Sequence, residues 1–192
     1  MPKNKKDFSN RPRSKALVYT VNAAFFVVPL IIVLVLRAFF IGNFYIPSGS
    51  MENTLLVSDR VLTIKDPQPK RGDIVVFKDD QHWLSADGNQ YLVKRVAAVG
   101  GDTISGKDGK IFVNGKAINE SRYIKGKNTG LNSSFETQKV PTGKLFVLGD
   151  NRENSADSRF HISINTQFVN DSSVSGKPVF IYWPLNRIGG VN

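Results

Sequence analysis

Residues Ala16 to Leu36, ALVYTVNAAFFVVPLIIVLVL, run for 21 positions without a charge. As a helix rising 1.5 Å per residue, such a run is about 30 Å long, the thickness of a bilayer's hydrocarbon core. A buried helix of a soluble protein would be shorter and would carry a polar face. A cleaved signal peptide has an apolar region of about 7–15 residues with a small-x-small site just beyond it. Here the run continues into Arg37-Ala38-Phe39-Phe40-Ile41, and the small-x-small match Ser48-Gly49-Ser50 lies far downstream. The segment is therefore read as a retained transmembrane helix over 16–36. Asn22 and Pro29 are its awkward residues, and membrane helices tolerate proline.

The flanks give the orientation. Residues 1–15 carry Lys3, Lys5, Lys6, Arg11, Arg13 and Lys15 against Asp7, a net +5 that is half the +10 of the whole chain. The positive-inside rule places this basic tail in the cytoplasm and residues 37–192 on the other side. The expectation is a single-pass protein of the cell membrane with an extracytoplasmic domain. Topology and anionic lipid account for the basic excess, so no nucleic-acid partner is expected. A length of 192 residues leaves room for one domain beyond the anchor.

Side-chain inventory narrows the chemistry. The chain has no cysteine, which excludes disulfide scaffolds, Cys-ligated zinc and every cysteine nucleophile. Its two histidines, His82 and His161, exclude a His-rich metal centre and leave two candidate bases for a Ser-His-Asp triad. Of these, His161 lies in a polar segment, so a Ser50-His161-Asp triad stays open. No metal or cofactor is expected.

Beyond the anchor, short β-branched runs alternate with turn residues. Strands are expected over 60–65, 72–77, 91–99, 110–113, 116–118, 144–148 and 179–183. Asn114-Gly115 marks a type I′ hairpin, and Asp108-Gly109 turns the chain just before it. The polar stretch 125–138 reads as a loop, and 149–175 as irregular. The fold class is mostly β, a folded barrel or sandwich-like domain behind one transmembrane helix.

Four segments hold residues able to do chemistry. In Ile46-Pro47-Ser48-Gly49-Ser50-Met51, proline and glycine hold a serine in a defined turn. In Tyr91-Leu92-Val93-Lys94-Arg95-Val96, alternation puts Lys94 on one face with Leu92 and Val96, and Arg95 on the other. A lysine among aliphatic neighbours either snorkels at a sheet edge or is desolvated, and desolvation would lower its pKa and suit it to act as a base. Gly149-Asp150-Asn151-Arg152-Glu153-Asn154-Ser155-Ala156-Asp157-Ser158-Arg159 is dense in hydrogen-bonding side chains, and Asp157 and Arg159 can pair. Arg71-Gly72-Asp73-Ile74-Val75-Val76-Phe77 is a turn into a core strand. The chain has neither a G-x-S-x-G elbow nor an S-x-x-K motif.

In this order behind one anchor, the four segments resemble type I signal peptidases, the Ser-Lys endopeptidases that remove signal peptides. The single-anchor, short form is similar to that of Gram-positive bacteria. The resemblance implies that Ser50 is the nucleophile and Lys94 its general base. It implies that Ser48 joins the Ser50 N–H in the oxyanion hole and that Ser155 orients the lysine amine. Asp157 and Arg159 correspond to a structural ion pair near the site. The implied fold is a β catalytic domain over 37–192 with a smaller insertion near 103–143. The implied activity is cleavage of preproteins after small-x-small sites, at a bilayer surface and near the export machinery. Phe39, Phe40, Phe44 and Trp83 with Leu84 are candidates for dipping into the interface.

Two positions depart from the pattern. Asn53 stands where the family usually has proline, which predicts a looser loop after the serine. Ile162 stands where a glycine commonly follows the polar segment. These departures leave room for a narrow-specificity paralogue. A catalytically silent accessory protein in secretion is the competing non-enzyme reading.

Overall fold

The computed structural model describes residues 15–39, 41–65, 68–84, 86–125, 134–161 and 166–191. The chain divides into two compact units, one up to Phe40 and one from Ile41 to Asn192.

In the first unit, α1 (Lys15–Phe39) is a 25-residue helix with Pro29 inside it. Its described side chains, chiefly those over 22–34, are exposed along the whole stretch, Phe25, Phe26, Leu30 and Val33 among them. An exposed surface this apolar has no soluble-protein role for its helix unless something covers it. That stretch is about 20 Å of helix, and among the described residues no helix is long and apolar enough to cross a membrane.

Among the described residues the second unit holds twelve strands. They are β1 (Ile41–Tyr45), β2 (Arg60–Ile64), β3 (Ile74–Lys78), β4 (Tyr91–Val99), β5 (Thr103–Lys107), β6 (Lys110–Val113), β7 (Lys116–Ala117), β8 (Phe135–Lys139), β9 (Lys144–Leu148), β10 (Val169–Asn170), β11 (Val174–Trp183) and β12 (Gly189–Gly190). The larger sheet runs β1-β2-β11-β3-β4-β9-β10, with β12 also on β11. The smaller sheet runs β7-β6-β5-β8. Every pairing between these strands is antiparallel. The unit is therefore mostly β.

Local chemistry explains the turns. Asp108-Gly109 and Asn114-Gly115 all have positive φ, at 49°, 76°, 52° and 75°. Both pairs thus have the left-handed conformations a type I′ hairpin needs. The strands β4, β6 and β9 have the bounds expected from their patterns, and β11 begins five residues earlier than expected. The polar stretch expected as a loop ends in a strand, β8, paired with β5. Its residues read as loop because Glu136, Thr137 and Lys139 face solvent, while Phe135 stacks on Phe146 at 5.6 Å.

Among the described residues, three apolar clusters hold the unit together. Val75, Phe77, Leu92, Val96 and Val147 form one, packed against Trp83. A second joins the small sheet to β4 and β9 through Ile104, Ile111, Val113, Phe146 and Leu148. The third seats the turn after β1 by burying Ile46, Met51 and Leu55 against Val61, Ile74 and Ile181. Trp83, expected as an interface candidate, lies in the core with 8% exposure, Phe44 is half-buried against Tyr91, and Leu84 is exposed. The side chains of Phe39 and Phe40 lie outside the described residues.

Candidate active site

The turn after β1 carries Ser50. Gly49–Met51 form one short 3-10 turn, and Met51 anchors it with its side chain 1% exposed. Ser48 precedes the turn in an extended conformation, is exposed, and makes no capping bond to it.

Lys94 comes from the middle of β4. Leu92 and Val96 flank it along the strand, and Val75 lies opposite it on β3. The lysine is 3% exposed. Its Nζ lies 2.8 Å from Ser50 Oγ. Burial pushes the amine down to about 8, against the opposing pull of Asp157 and Asp150. Protonated, the amine donates to Ser50 Oγ. Neutral, its lone pair can take the hydroxyl proton, which is what a poor alcohol nucleophile requires.

The polar segment 149–159 wraps the same turn. Asn151 N–H donates to Ser50 O at 3.0 Å, and its side-chain Nδ2 donates to Gly49 O at 3.0 Å. Asp157 and Arg159 form a buried two-pronged pair, with both contacts at 2.9 Å. Burial works to raise the Asp157 pKa, but Arg159 and the Gly149 N–H hold the carboxyl below the usual range. Its charge therefore persists near Lys94. Ser155 Oγ is buried and has no hydrogen-bond partner, so its expected contact with the lysine amine is not formed. It lies against Gly149, where an added Cβ would meet Ser155 Oγ at 2.1 Å and Ser50 O at 2.6 Å. Only glycine permits that approach.

Sequence reasoning placed Arg95 on the opposite face of β4 but missed its partner. Arg95 reaches Asp150 through two bonds, at 2.9 and 2.8 Å, and also donates to Gly72 O. Thr54 Oγ1 donates to the same Asp150 carboxylate. The pair ties β4, the segment before β3 and the serine turn together, behind the Ser50–Lys94 contact. Arg152 and Glu120 form a further buried pair, and no sequence pattern connects the two. The signal was present only as polar density in 149–159.

The remaining candidates separate. His161 stacks on Trp83, with centroids 4.6 Å apart and planes 5° apart, and its Nε2 has no partner. Ser50 Oγ pairs with Lys94 and not with a histidine, so no Ser-His-Asp triad assembles. Asn53 has φ 80°, and its Nδ2 donates to Ile124 O at 2.9 Å. The looser loop expected from the missing proline is instead a turn tied across 71 positions of sequence. Ile162 lies outside the described residues. No cluster of metal-binding side chains occurs among the described residues.

Comparison with known proteins fits this geometry. The family model described as signal peptidase, peptidase S26, matches residues 19–183. A protein from Bacillus licheniformis named signal peptidase I is 31% identical over 172 residues, which is 84% of this chain and 87% of that one. Signal peptidase I P of Bacillus subtilis subsp. natto is 34% identical, over 84% of this chain and 87% of its own. A signal peptidase I from Leptolyngbya laminosa is 34% identical over 83% of this chain and 77% of its own. With a match spanning most of its length, the chain belongs to the peptidase S26 family of signal peptidases.

Proposed function

We propose that the protein is a membrane-anchored serine endopeptidase that removes N-terminal signal peptides from exported preproteins, with Ser50 as nucleophile and Lys94 as general base. The observation that carries this reading is the 2.8 Å approach of Lys94 Nζ to Ser50 Oγ, made by a lysine that burial predisposes to be neutral.

The reaction has two halves. Neutral Lys94 takes the Ser50 proton as Oγ attacks the scissile carbonyl. The Ser50 N–H and the Ser48 hydroxyl stabilise the oxyanion, each such donor being worth about 3 kcal/mol in the transition state. Collapse breaks the peptide bond, and the Lys94 ammonium returns its proton to the leaving amine of the mature protein. Water then loses a proton to Lys94 and attacks the Ser50 ester, and collapse frees the signal peptide with its new carboxylate as the Lys94 ammonium returns that proton to Ser50 Oγ. Ser155 orients the lysine amine once substrate binds. Asp157 with Arg159 keeps the floor of the site rigid. Shallow pockets select small residues before the cut, and the extended substrate pairs with strand backbone. Residues 16–36 anchor the enzyme in the cell membrane with the basic tail inside. That places the site where a signal helix lies in the bilayer, near the export machinery. On this reading the sheet of β5 to β8 is the smaller insertion of the catalytic domain.

The test is cleavage of a purified preprotein by the detergent-solubilised full chain, read by fragment mass. The wild type is expected to cut once, after a small-x-small site. Ser50→Ala and Lys94→Ala are each expected to lose at least about a thousandfold in kcat. A Lys94→Ala variant within tenfold of wild type would remove the lysine from the role of base.

A further inference from the structure

Both peptide planes that flank the Ser50 Cα are held by a single residue, Asn151. The Gly49–Ser50 plane is gripped through its carbonyl, which accepts from Asn151 Nδ2 at 3.0 Å and from the Glu52 N–H at 3.1 Å. The Ser50–Met51 plane is gripped through Ser50 O, which accepts from the Asn151 N–H at 3.0 Å. In a trans peptide the N–H points opposite to the C=O. Fixing the Gly49 carbonyl therefore fixes the bearing of the Ser50 N–H. The two planes together set φ and ψ of Ser50, and so the bearing of its Cα–Cβ bond as well.

The amide that does this is itself held in place. Asn151 is 8% exposed. Its Nδ2 also donates to Glu52 Oε2 at 3.3 Å, and that carboxylate is ion-paired with Lys125. Lys125 and Asn151 further share a parallel β-bridge. The side-chain nitrogen thus sits between a carbonyl oxygen and a carboxylate oxygen, where only a donor fits.

We infer that Asn151 is a positioning residue that aims the Ser50 backbone N–H at the developing oxyanion. The inference rests on the peptidase reading above. Asn151 touches no reacting atom. It acts through the Ser50 peptide, so its loss weakens transition-state stabilisation and spares ground-state binding.

The experiment uses the full chain in detergent, with a purified preprotein as substrate and the unfolding midpoint measured for each variant. Asn151→Ala is expected to lower kcat about 10- to 100-fold with KM within about twofold. The acid limb of its pH profile is expected to stay put, because the burial that lowers the Lys94 amine comes from its place in β4 beside β3 and not from Asn151. Asn151→Asp turns a second oxygen toward Gly49 O and Glu52, and is expected to lose more. Adding Glu52→Gln to Asn151→Asp restores a donor to the pair but leaves Gly49 O with the Glu52 N–H and no side-chain donor, so kcat is not expected to recover. Recovery in that double variant, a loss confined to KM, a moved acid limb, or rates within about twofold of wild type would each overturn the assignment. Amide hydrogen exchange supplies a readout that needs no substrate. In Asn151→Ala the Glu52 N–H is expected to exchange at least about tenfold faster, and unchanged exchange sinks the clamp. A wild type that cuts no preprotein would defeat the peptidase reading, while the exchange measurement would still decide the clamp.

Discussion

Lys94 is stable as a cation in the unfolded chain at neutral pH, and the fold takes that stability away. Its pKa falls from 10.5 to about 8, chiefly through burial. A depressed lysine means that the unfolded state binds more protons between those two values, so stability rises with pH across that window. Below pH 8 the full penalty applies, about 3 kcal/mol. Lys94→Met keeps an unbranched side chain of similar length and removes the charge. It is expected to abolish cleavage yet to be more stable than wild type by about 2–3 kcal/mol at pH 6, with the gain shrinking toward pH 10.5. Urea unfolding at several pH values reads this directly. Wild-type kcat is expected to climb through a midpoint near pH 8 as the amine loses its proton. A flat profile from pH 6 to 10, with chemistry limiting, would contradict that. The pattern of β4 set Lys94 between Leu92 and Val96, which also suits a lysine snorkelling at a sheet edge, and the family resemblance is what singled it out as a base. How deeply it is buried was not legible, because Val75 on β3 and the Ser50 turn come from elsewhere in the chain.

Elements differ in how far the sequence defines them. Hairpin turns were legible because Asn-Gly and Asp-Gly encode their own left-handed backbone. The strand β8 was not, because its polar residues face solvent and its partner β5 supplies the order. The turn 49–55 belongs to a third kind, with its residues legible and its geometry not. The contacts that hold it reach Asn151, about a hundred positions away, and Ile124, 71 positions away. Asn53 depends on those distant contacts. At φ 80° it occupies a conformation that asparagine tolerates and proline, locked near −65°, cannot adopt. Restoring the family's usual residue should therefore harm this chain. Asn53→Pro is expected to cost about 2–4 kcal/mol, combining the lost bond to Ile124 O with backbone strain. Asn53→Gly keeps the backbone and is expected to cost only about 1 kcal/mol. Both tryptophans, Trp83 and Trp183, lie in the β unit, so their fluorescence during unfolding reports on it. A neutral or stabilising Asn53→Pro would mean that the turn prefers a negative φ in solution.

At the scale of the whole molecule the sequence divides sharply in chemistry. Half of the +10 net charge sits in fifteen residues, and the 21 residues after them have none. The second unit carries the Ser50–Lys94 pair on a β frame. For a peptidase whose substrates begin with an apolar signal helix, anchoring confines enzyme and substrate to one thin layer and raises their encounter rate without any new contact. In the proposed topology the basic tail supplies the orientation, since cytoplasmic flanks rich in lysine and arginine stay inside. The prediction is that the chain remains in the membrane pellet after alkaline carbonate extraction. A protease added outside spheroplasts is expected to digest the region from residue 41 onward, while an epitope placed before Met1 survives until lysis. Each failure has its own meaning. An epitope digested from outside reverses the topology. A full-length chain in the soluble fraction removes the anchor. A chain shortened between Leu36 and Ser50 makes the apolar segment a cleaved leader, and the catalytic unit then reaches its substrates by diffusion.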